Sequence, residues 1–144
     1  MLENHYFTPE FIISPLESAK SAVTKGADGS HTLVTSNFSY AMLDISKGAR
    51  ARVHEWAATA NSEGAVISDR SKAIVPAGDS LDTTSLHVNT TAHSSEAWQG
   101  GVAWNDNHVT FEEDGFMKTR YGTLPTDRDD IFVDAGGDGL MGYD

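Results

Sequence analysis

The histidines are the first residues whose types and spacing could do chemistry. His87 and His93 are followed by Glu96, and two imidazoles with one carboxylate could bind a divalent transition metal. Their spacing matches no established zinc motif. His54 begins an H-E-x-x-H pattern, but Ala58 stands where the second histidine belongs. The sequence therefore favours ordinary surface or strand-face histidines over a histidine metal site.

Five aspartates are crowded into a short, glycine-containing stretch late in the sequence. Calcium prefers several oxygen ligands on a flexible backbone, and Asp134 and Asp138 are the candidate ligands within the stretch 134–139. This stretch lacks the alternating Asp or Asn ligands and the distal Glu of an EF-hand loop, so a solvated acidic tail is the favoured interpretation. The five residues are Asp127, Asp129, Asp130, Asp134 and Asp138.

No arrangement of residues predicts catalysis. The nucleophile pattern G-x-S-x-G is missing from the sequence, and Gly100-Gly101 lacks the Lys and Ser or Thr of a phosphate-binding loop. Glu112, Glu113 and Asp114 are adjacent, so on a strand they would point to opposite faces and would not flank one glycosidic bond. We predict no catalytic residue and no cofactor.

The three tryptophans, Trp56, Trp98 and Trp104, allow two interpretations. They could form a ligand platform, as in carbohydrate-binding proteins, but Trp in a small β domain more often lies in the core or in a subunit interface. Trp98 and Trp104 have the same parity, so they would face one side of an extended segment. We therefore predict core or interface positions.

Composition excludes several classes of protein. The chain has 144 residues, which suits one domain, and 10 Lys and Arg against 21 Asp and Glu give a net charge of −11. This acidic surface would repel nucleic acids and anionic membranes. The sequence has no cysteine, no secretory signal pattern and no apolar run of about 20 residues, so we expect neither disulfides, nor secretion, nor a membrane span.

Residues 1–30 differ from the rest and are predicted to be an N-terminal arm with one short helix. Ser14 can cap a helix, Pro15 suits its first position, and Glu17 can complete a capping box. Leu16, Ala19 and Val23 then share a helical face, and Gly26 is a natural terminator, so the helix is expected at about 15–25.

Residues 31–133 read as a β body, followed by an acidic, glycine-rich tail over 134–144. The stretch 49–60 fits either a helix or a strand, and the alternation of its side chains favours a strand. The stretch 131–133 is expected to be an edge strand or an anchor, and the tail to be mobile. Regular short strands predict an antiparallel sandwich or small barrel. The expected strands are 31–35, 38–45, 65–68, 72–75, 85–90, 97–104, 108–112 and 115–121, with a hairpin over 102–121.

An arm before a cysteine-free β body that opens on Tyr40-Ala-Met-Leu-Asp44 resembles bacteriophage head-decoration proteins of the lambda type. The resemblance implies a trimeric β protein, made in the host cytoplasm, that stabilises the capsid shell of a virion by binding the major capsid protein or other virion subunits. The arm would then supply docking residues, and the apolar candidates are Tyr6, Phe7, Phe11 and Leu16.

Three hypotheses of function follow. The leading one is a non-enzymatic structural virion protein, that is, a capsid decoration protein. The second is a soluble β-sandwich module that binds a carbohydrate or another small ligand through its tryptophans. The third is a small hydrolase whose site has no recognisable pattern.

Overall fold

The computed structural model describes residues 8–17, 20–45, 50–57, 60–71, 98–122, 124–125, 127–132, 139 and 141–142. One helix, α1 (Arg50–Glu55), and two short 3-10 segments, Pro9–Ile12 and Thr35–Asn37, accompany the strands. The strands are β1 (Tyr40–Leu43), β2 (Ala65–Asp69), β3 (Gly100–Trp104), β4 (Val109–Glu112), β5 (Phe116–Met117), β6 (Arg120–Tyr121), β7 (Leu124–Pro125), β8 (Asp129–Asp130) and β9 (Met141–Gly142).

The centre of the fold is a five-stranded antiparallel sheet with the strand order β4-β3-β2-β1-β9. The hairpin of β3 and β4 pairs Gly100 with Glu112 and Ala103 with Val109. Its tight turn needs a positive backbone angle, which Asn107 adopts with φ of 70°. The predicted mostly-β, antiparallel fold is thus confirmed. The hairpin predicted over 102–121 is found over Gly100–Glu112, while β5 and β6 pair with other strands.

The remaining strands of the described residues form two antiparallel ribbons, β5 with β8 and β6 with β7, which together we call the second layer. Their buried side chains join those of the inner face of the sheet in one core, because side chains alternate between the two faces of each strand. Burying apolar surface in this way is the main force that holds the fold together. The core comprises Ala41, Leu43, Ala65, Trp98, Val102, Trp104, Met117, Tyr121, Ile131, Phe132 and Met141.

The arm carries a short helical segment, as predicted, but at a different place. The segment is the 3-10 turn Pro9–Ile12, and the described residues 15–17 and 20–25 of the predicted helix are not helical. Ser14 accepts a bond from the Leu16 amide, as a cap would, at 3.4 Å. Leu16 is exposed while Val23 is buried, so the expected apolar stripe does not face one neighbour. A stripe of three residues is too thin to hold a helix without such packing.

The strand predicted over 49–60 is wrong where the structure describes it, because residues 50–55 form α1. Arg52 and Glu55 are buried and lie three apart, on one side of the helix, whereas Val53 is half exposed. The strand predicted over 31–35 is also wrong. There the Asn37 side chain accepts a hydrogen bond from the Val34 amide at 3.0 Å, and the chain forms the second 3-10 segment.

The end of the chain is anchored rather than loose at its described residues. Ile131 and Phe132 are buried, as expected of an anchor. Met141–Gly142 forms the outer strand β9, so the prediction of a mobile tail over 134–144 is wrong at these two residues. The strands predicted at 72–75 and 85–90 lie outside the described residues.

Candidate functional site

The structure places the predicted site residues in different surroundings. Trp98 and Trp104 are core residues, whereas Trp56 lies just after α1 and is 43% exposed. Phe11 and Leu16, on the arm, are 74% and 49% exposed. The other arm candidates and the metal candidates lie outside the described residues: Tyr6, Phe7, Asp134, Asp138, His87, His93 and Glu96.

The arm is fixed to the body directly after each of its two exposed apolar residues, Phe11 and Leu16. The Ser39 amide, next to β1, donates to the Ile12 carbonyl at 2.8 Å. Arg70, directly after β2, donates to both carboxylate oxygens of Glu17, and its Nε lies 3.3 Å from Oε2. Both side chains of this pair are largely buried. We call the Glu17–Arg70 pair the latch.

The latch depends on the charge of Glu17. Burial raises the pKa of the Glu17 carboxyl, but hydrogen bonds from Arg70 and the positive charges of Arg70 and Lys20 outweigh burial and hold the pKa below its ordinary value. Tyr40 lies nearby. Its pKa is raised, first by burial and then by the negative charges of Asp69 and Glu17. Glu17 is therefore ionised and Tyr40 neutral at physiological pH.

Replacing Glu17 with glutamine is expected to lower the free energy of unfolding by about 2 kcal/mol at pH 7, because charge-assisted hydrogen bonds are lost. The pKa of Glu17 is lower in the folded protein than in the unfolded one. The latch therefore contributes fully above the unfolded value, and its contribution is lost as pH falls through the folded value. Urea unfolding at pH 7 and below about pH 3 measures both states.

The exposed Glu113 offers a matched control, since Glu113→Gln makes the same chemical change outside the latch. We expect this variant to unfold like the wild type at pH 7. The gap between Glu17→Gln and the wild type should close in acid. An equal gap at both pH values would contradict the latch.

A second polar cluster lies between α1 and the loops beside it. The side-chain amide of Asn61 donates a hydrogen bond to Oε1 of Glu55 at 3.0 Å. The side-chain amide of Asn105 donates to Oε2 of Glu55 at 2.9 Å. Gly64 packs so closely here that a Cβ would lie 2.6 Å from Oε2 of Glu55. With amide donors on both of its oxygens and no room for a ligand beside it, the Glu55 carboxylate fixes α1 in place and is unsuited to acid–base chemistry.

Asp129 is buried in a comparable way. Its Oδ2 accepts from the Thr119 hydroxyl at 2.8 Å and from the Gly139 amide at 2.7 Å. A Cβ at Gly139 would lie 2.6 Å from the same oxygen, so the site requires glycine. The sequence groups Asp129 with an acidic cluster that could bind calcium, but its contacts in the structure are those of a structural side chain.

Tyr121 is the buried phenol beside this aspartate. Its hydroxyl donates to the Ala65 carbonyl at 3.1 Å. Burial, followed by the negative charge of Asp129, raises the pKa of Tyr121 far above its ordinary value, although the bond to Ala65 and the positive charge of Arg52 oppose the shift. The phenol therefore stays protonated and holds the second layer against β2.

The tip of the β3–β4 hairpin carries an exposed His–Asp pair. His108 Nδ1 bonds to Asp106, and the His108 ring stacks on Trp104 with the ring centroids 5.6 Å apart. The hydrogen bond from His108 is the main cause that lowers the pKa of Asp106. In the described part of the chain, no three His, Cys, Asp or Glu side chains lie together as a metal site requires. The pair stabilises the hairpin turn.

The other notable feature is the solvent side of the central sheet, which we call the outer face. Met42 pairs with Ile67, Ile67 with Ala103, and Ala103 with Val109, so these residues form one apolar row across four strands. The exposed apolar residues of this face are Met42, Ile67, Val109 and Phe111, which lies two residues beyond Val109 on β4. Val109 is 70% exposed. Single exposed apolar residues are common, but a contiguous row of them marks an interaction surface.

Asp69 is the charged residue on the described outer face. It lies on β2 opposite Tyr40 of β1, and its Oδ2 accepts a hydrogen bond from the Gly101 amide at 2.8 Å. Gly100 must be glycine here, because a Cβ would lie 2.7 Å from the Asp69 Cβ and 2.9 Å from the Trp98 ring. Asp69 is itself buried, so the outer face presents an essentially apolar surface.

Comparisons of the chain with family models, with curated proteins and with solved structures found no match. Within the described residues, no helix has the length and apolar character that a membrane crossing requires. Function is therefore inferred from the surfaces and clusters described above.

Sequence reasoning singled out Phe11 and Leu16, which the structure shows to be exposed, but it missed the latch and the outer face. The latch joins two residues that are 53 positions apart in the sequence, and no local sequence pattern predicts such a pair. A signal for the outer face did exist. Val109 and Phe111 alternate with Thr110 and Glu112, which is typical of a strand with one apolar face, yet this alternation does not say whether that face meets the core or the solvent.

Proposed function

We propose that this chain is a non-enzymatic structural protein that binds another protein of a larger assembly through its N-terminal arm. The observation that carries the proposal is the anchored arm. The Ile12–Ser39 bond and the latch hold it on the body, while Phe11 and Leu16 remain largely exposed. Apolar side chains that are held in place and exposed lose little conformational entropy when a partner covers them.

The polar clusters support a non-catalytic role. The Glu55 and Asp129 carboxylates already accept hydrogen bonds from the protein, and the Tyr121 phenol is buried and protonated. Catalytic acids and bases need access to a substrate proton, which these groups do not have. The burial of Trp98 and Trp104 likewise disfavours a three-tryptophan carbohydrate platform.

The specific form of the proposal is decoration of a virion capsid shell. It is supported by the resemblance of the chain to head-decoration proteins and by an apolar arm on an otherwise acidic protein with a net charge of −11. A decoration protein gains tight binding by engaging several subunits at once, so each arm contact can be modest.

Replacing Phe11 and Leu16 with alanine is expected to weaken shell binding at least about tenfold, because each side chain contributes roughly 1–3 kcal/mol when it is covered. Co-sedimentation with capsid shells prepared without this chain, from the virus that encodes it, measures the change. The double variant should keep the unfolding midpoint of the wild type, since both side chains are exposed.

Val53→Ala is the matched control, because Val53 is an equally exposed apolar residue on α1, away from the arm. This variant should bind like the wild type. Equal binding by wild type and double variant would refute arm docking. If the wild type does not bind the shells at all, the capsid form of the proposal is wrong, and binding to another assembly partner becomes the remaining form.

A further inference from the structure

Residues 8–17 of the arm, which we call the strap, are held to the body through polar groups. The buried residues of the strap are Ser14 and Glu17, and none of the strap residues belongs to the apolar core. The Ile12 carbonyl accepts a hydrogen bond from the Ser39 amide, and the latch joins the strap to the body a second time. Because little apolar surface is buried here, this contact lacks the main force that holds the core together.

A buried hydroxyl lies where the strap meets the sheet. Ser39 is fully buried, and its carbonyl accepts the Arg70 amide at 3.3 Å, one step beyond the Tyr40–Asp69 pair. Ser39 and Arg70 therefore share the inner face of the sheet, and the strap crosses both of them. The Ser39 hydroxyl has no hydrogen-bond partner among the described residues. Such a hydroxyl carries a desolvation cost in the closed state, and opening of the strap to water would remove that cost.

The chain after the strap is held by bonds of its own. The Ser21 amide donates to the Ser36 carbonyl at 3.1 Å, and the Asn37 side chain donates to the Ser21 carbonyl at 2.9 Å. Val23, two residues further, is buried. The chain from Ser21 onward is thus fixed independently of the latch, so an opening of the strap can stop at Ser21.

We propose that the strap opens from the body as one unit, with its hinge before Ser21, while the central sheet stays folded. In the open state the Ile12–Ser39 bond and the latch are both broken, and the Ser39 hydroxyl is hydrated. Segments with few buried apolar contacts typically open with less free energy than the whole domain. Opening gives the free arm a second, extended state, in which the chain from Phe11 to Ser21 spans at most about 35 Å.

Hydrogen exchange of the free, full-length chain, followed at single amides by NMR, tests the opening. The Ser39 amide loses its acceptor when the strap opens, whereas Ser21 and Val102, in the middle of the central sheet, keep theirs. We expect the Ser39 amide to exchange at least about 100-fold faster than that of Val102, after correction for intrinsic rates, and also faster than that of Ser21.

A variant of the latch distinguishes opening of the whole strap from fraying of its first residues. Glu17→Gln should speed exchange of the Ser39 amide at least about tenfold, because the latch and the Ile12–Ser39 bond break in the same step. Fraying up to Ile12 would not depend on the latch. Glu113→Gln, the exposed control, should leave the exchange rate of Ser39 unchanged.

A second variant tests the buried hydroxyl. Ser39→Ala keeps the amide and removes the hydroxyl, so exchange of the amide at position 39 should slow about tenfold. Ser68→Ala is the matched control, because the Ser68 hydroxyl is also buried and without a partner among the described residues. Ser68 pairs with Ala41 and Val102 of the core and stays covered when the strap opens. Its variant should raise the melting temperature and leave exchange at Ser39 unchanged.

Three results would overturn the proposal. Equal exchange at Ser39 and Val102 in the wild type would mean that the strap leaves the body only in global unfolding. A Glu17→Gln variant with the wild-type rate at Ser39 would indicate fraying instead of a unit. A Ser39→Ala variant that exchanges as fast as the wild type, or faster, would show that opening does not relieve the hydroxyl. Each measurement uses the free chain, so its failure is distinct from a failure of shell binding.

Discussion

Replacing Trp98 with alanine is expected to lower the free energy of unfolding by about 3–5 kcal/mol. Trp98 is 1% exposed, and its ring meets the edge of Phe132 at 5.2 Å between centroids. Its indole nitrogen also donates to the Asp69 carbonyl at 3.3 Å. Alanine would leave a cavity at the junction of the sheet and the second layer, and it would leave that carbonyl without its indole donor.

A loss of this size is a large part of the total stability, because domains are stable by only about 5–15 kcal/mol. Chemical denaturation with circular dichroism as the signal measures it. Trp56→Ala is the matched control, since the same substitution at a half-exposed position removes less buried surface. Equal losses for the two variants would contradict the assignment of Trp98 to the core.

The tryptophans show which parts of the fold can be read from the sequence. Trp98 and Trp104 share parity in one segment, and both lie in the core as this parity and their size predict. The strands β1, β2, β3 and β4 were likewise found within a few residues, because β-branched and aromatic residues alternate there and turn residues separate them.

The sequence favoured a strand over the helix α1 for a physical reason. A helix is usually recognised by an apolar stripe, but the buried side of α1 carries Arg52 and Glu55. The Glu55 carboxylate can be buried because distant side chains donate to it, among them Asn105 on the β3–β4 turn. The usual rule that charged residues lie on the surface therefore predicts the wrong side of this helix to be buried.

The candidate surfaces depend on the same long-range information. Val109 and Phe111 have the pattern of core residues, and only the register of β4 on β3 directs them outward. A shift of one residue in this pairing would turn Phe111 to the inner face and Thr110 to the outer face. In the observed register the Thr110 hydroxyl accepts a hydrogen bond from the Trp104 indole nitrogen at 2.8 Å. That hydrogen bond fixes the register, and therefore the apolar character of the outer face.

The strand at the end of the chain was missed because two residues carry too little pattern to be recognised. Met141–Gly142 pairs with Leu43 and Met42, and the Met141 amide also donates to the Ile131 carbonyl at 2.6 Å. The glycine-rich sequence before β9 contains no local pattern that predicts a strand. The contacts that order it come from β1 and from the anchor at Ile131.

Replacing Met141 with alanine is accordingly expected to lower the free energy of unfolding by about 2–5 kcal/mol, as for other fully buried side chains. Met141→Leu keeps the volume and should lose less than about 1.5 kcal/mol. Urea unfolding of the three proteins measures both values. If the alanine variant were as stable as the wild type, the end of the chain would not be part of the core.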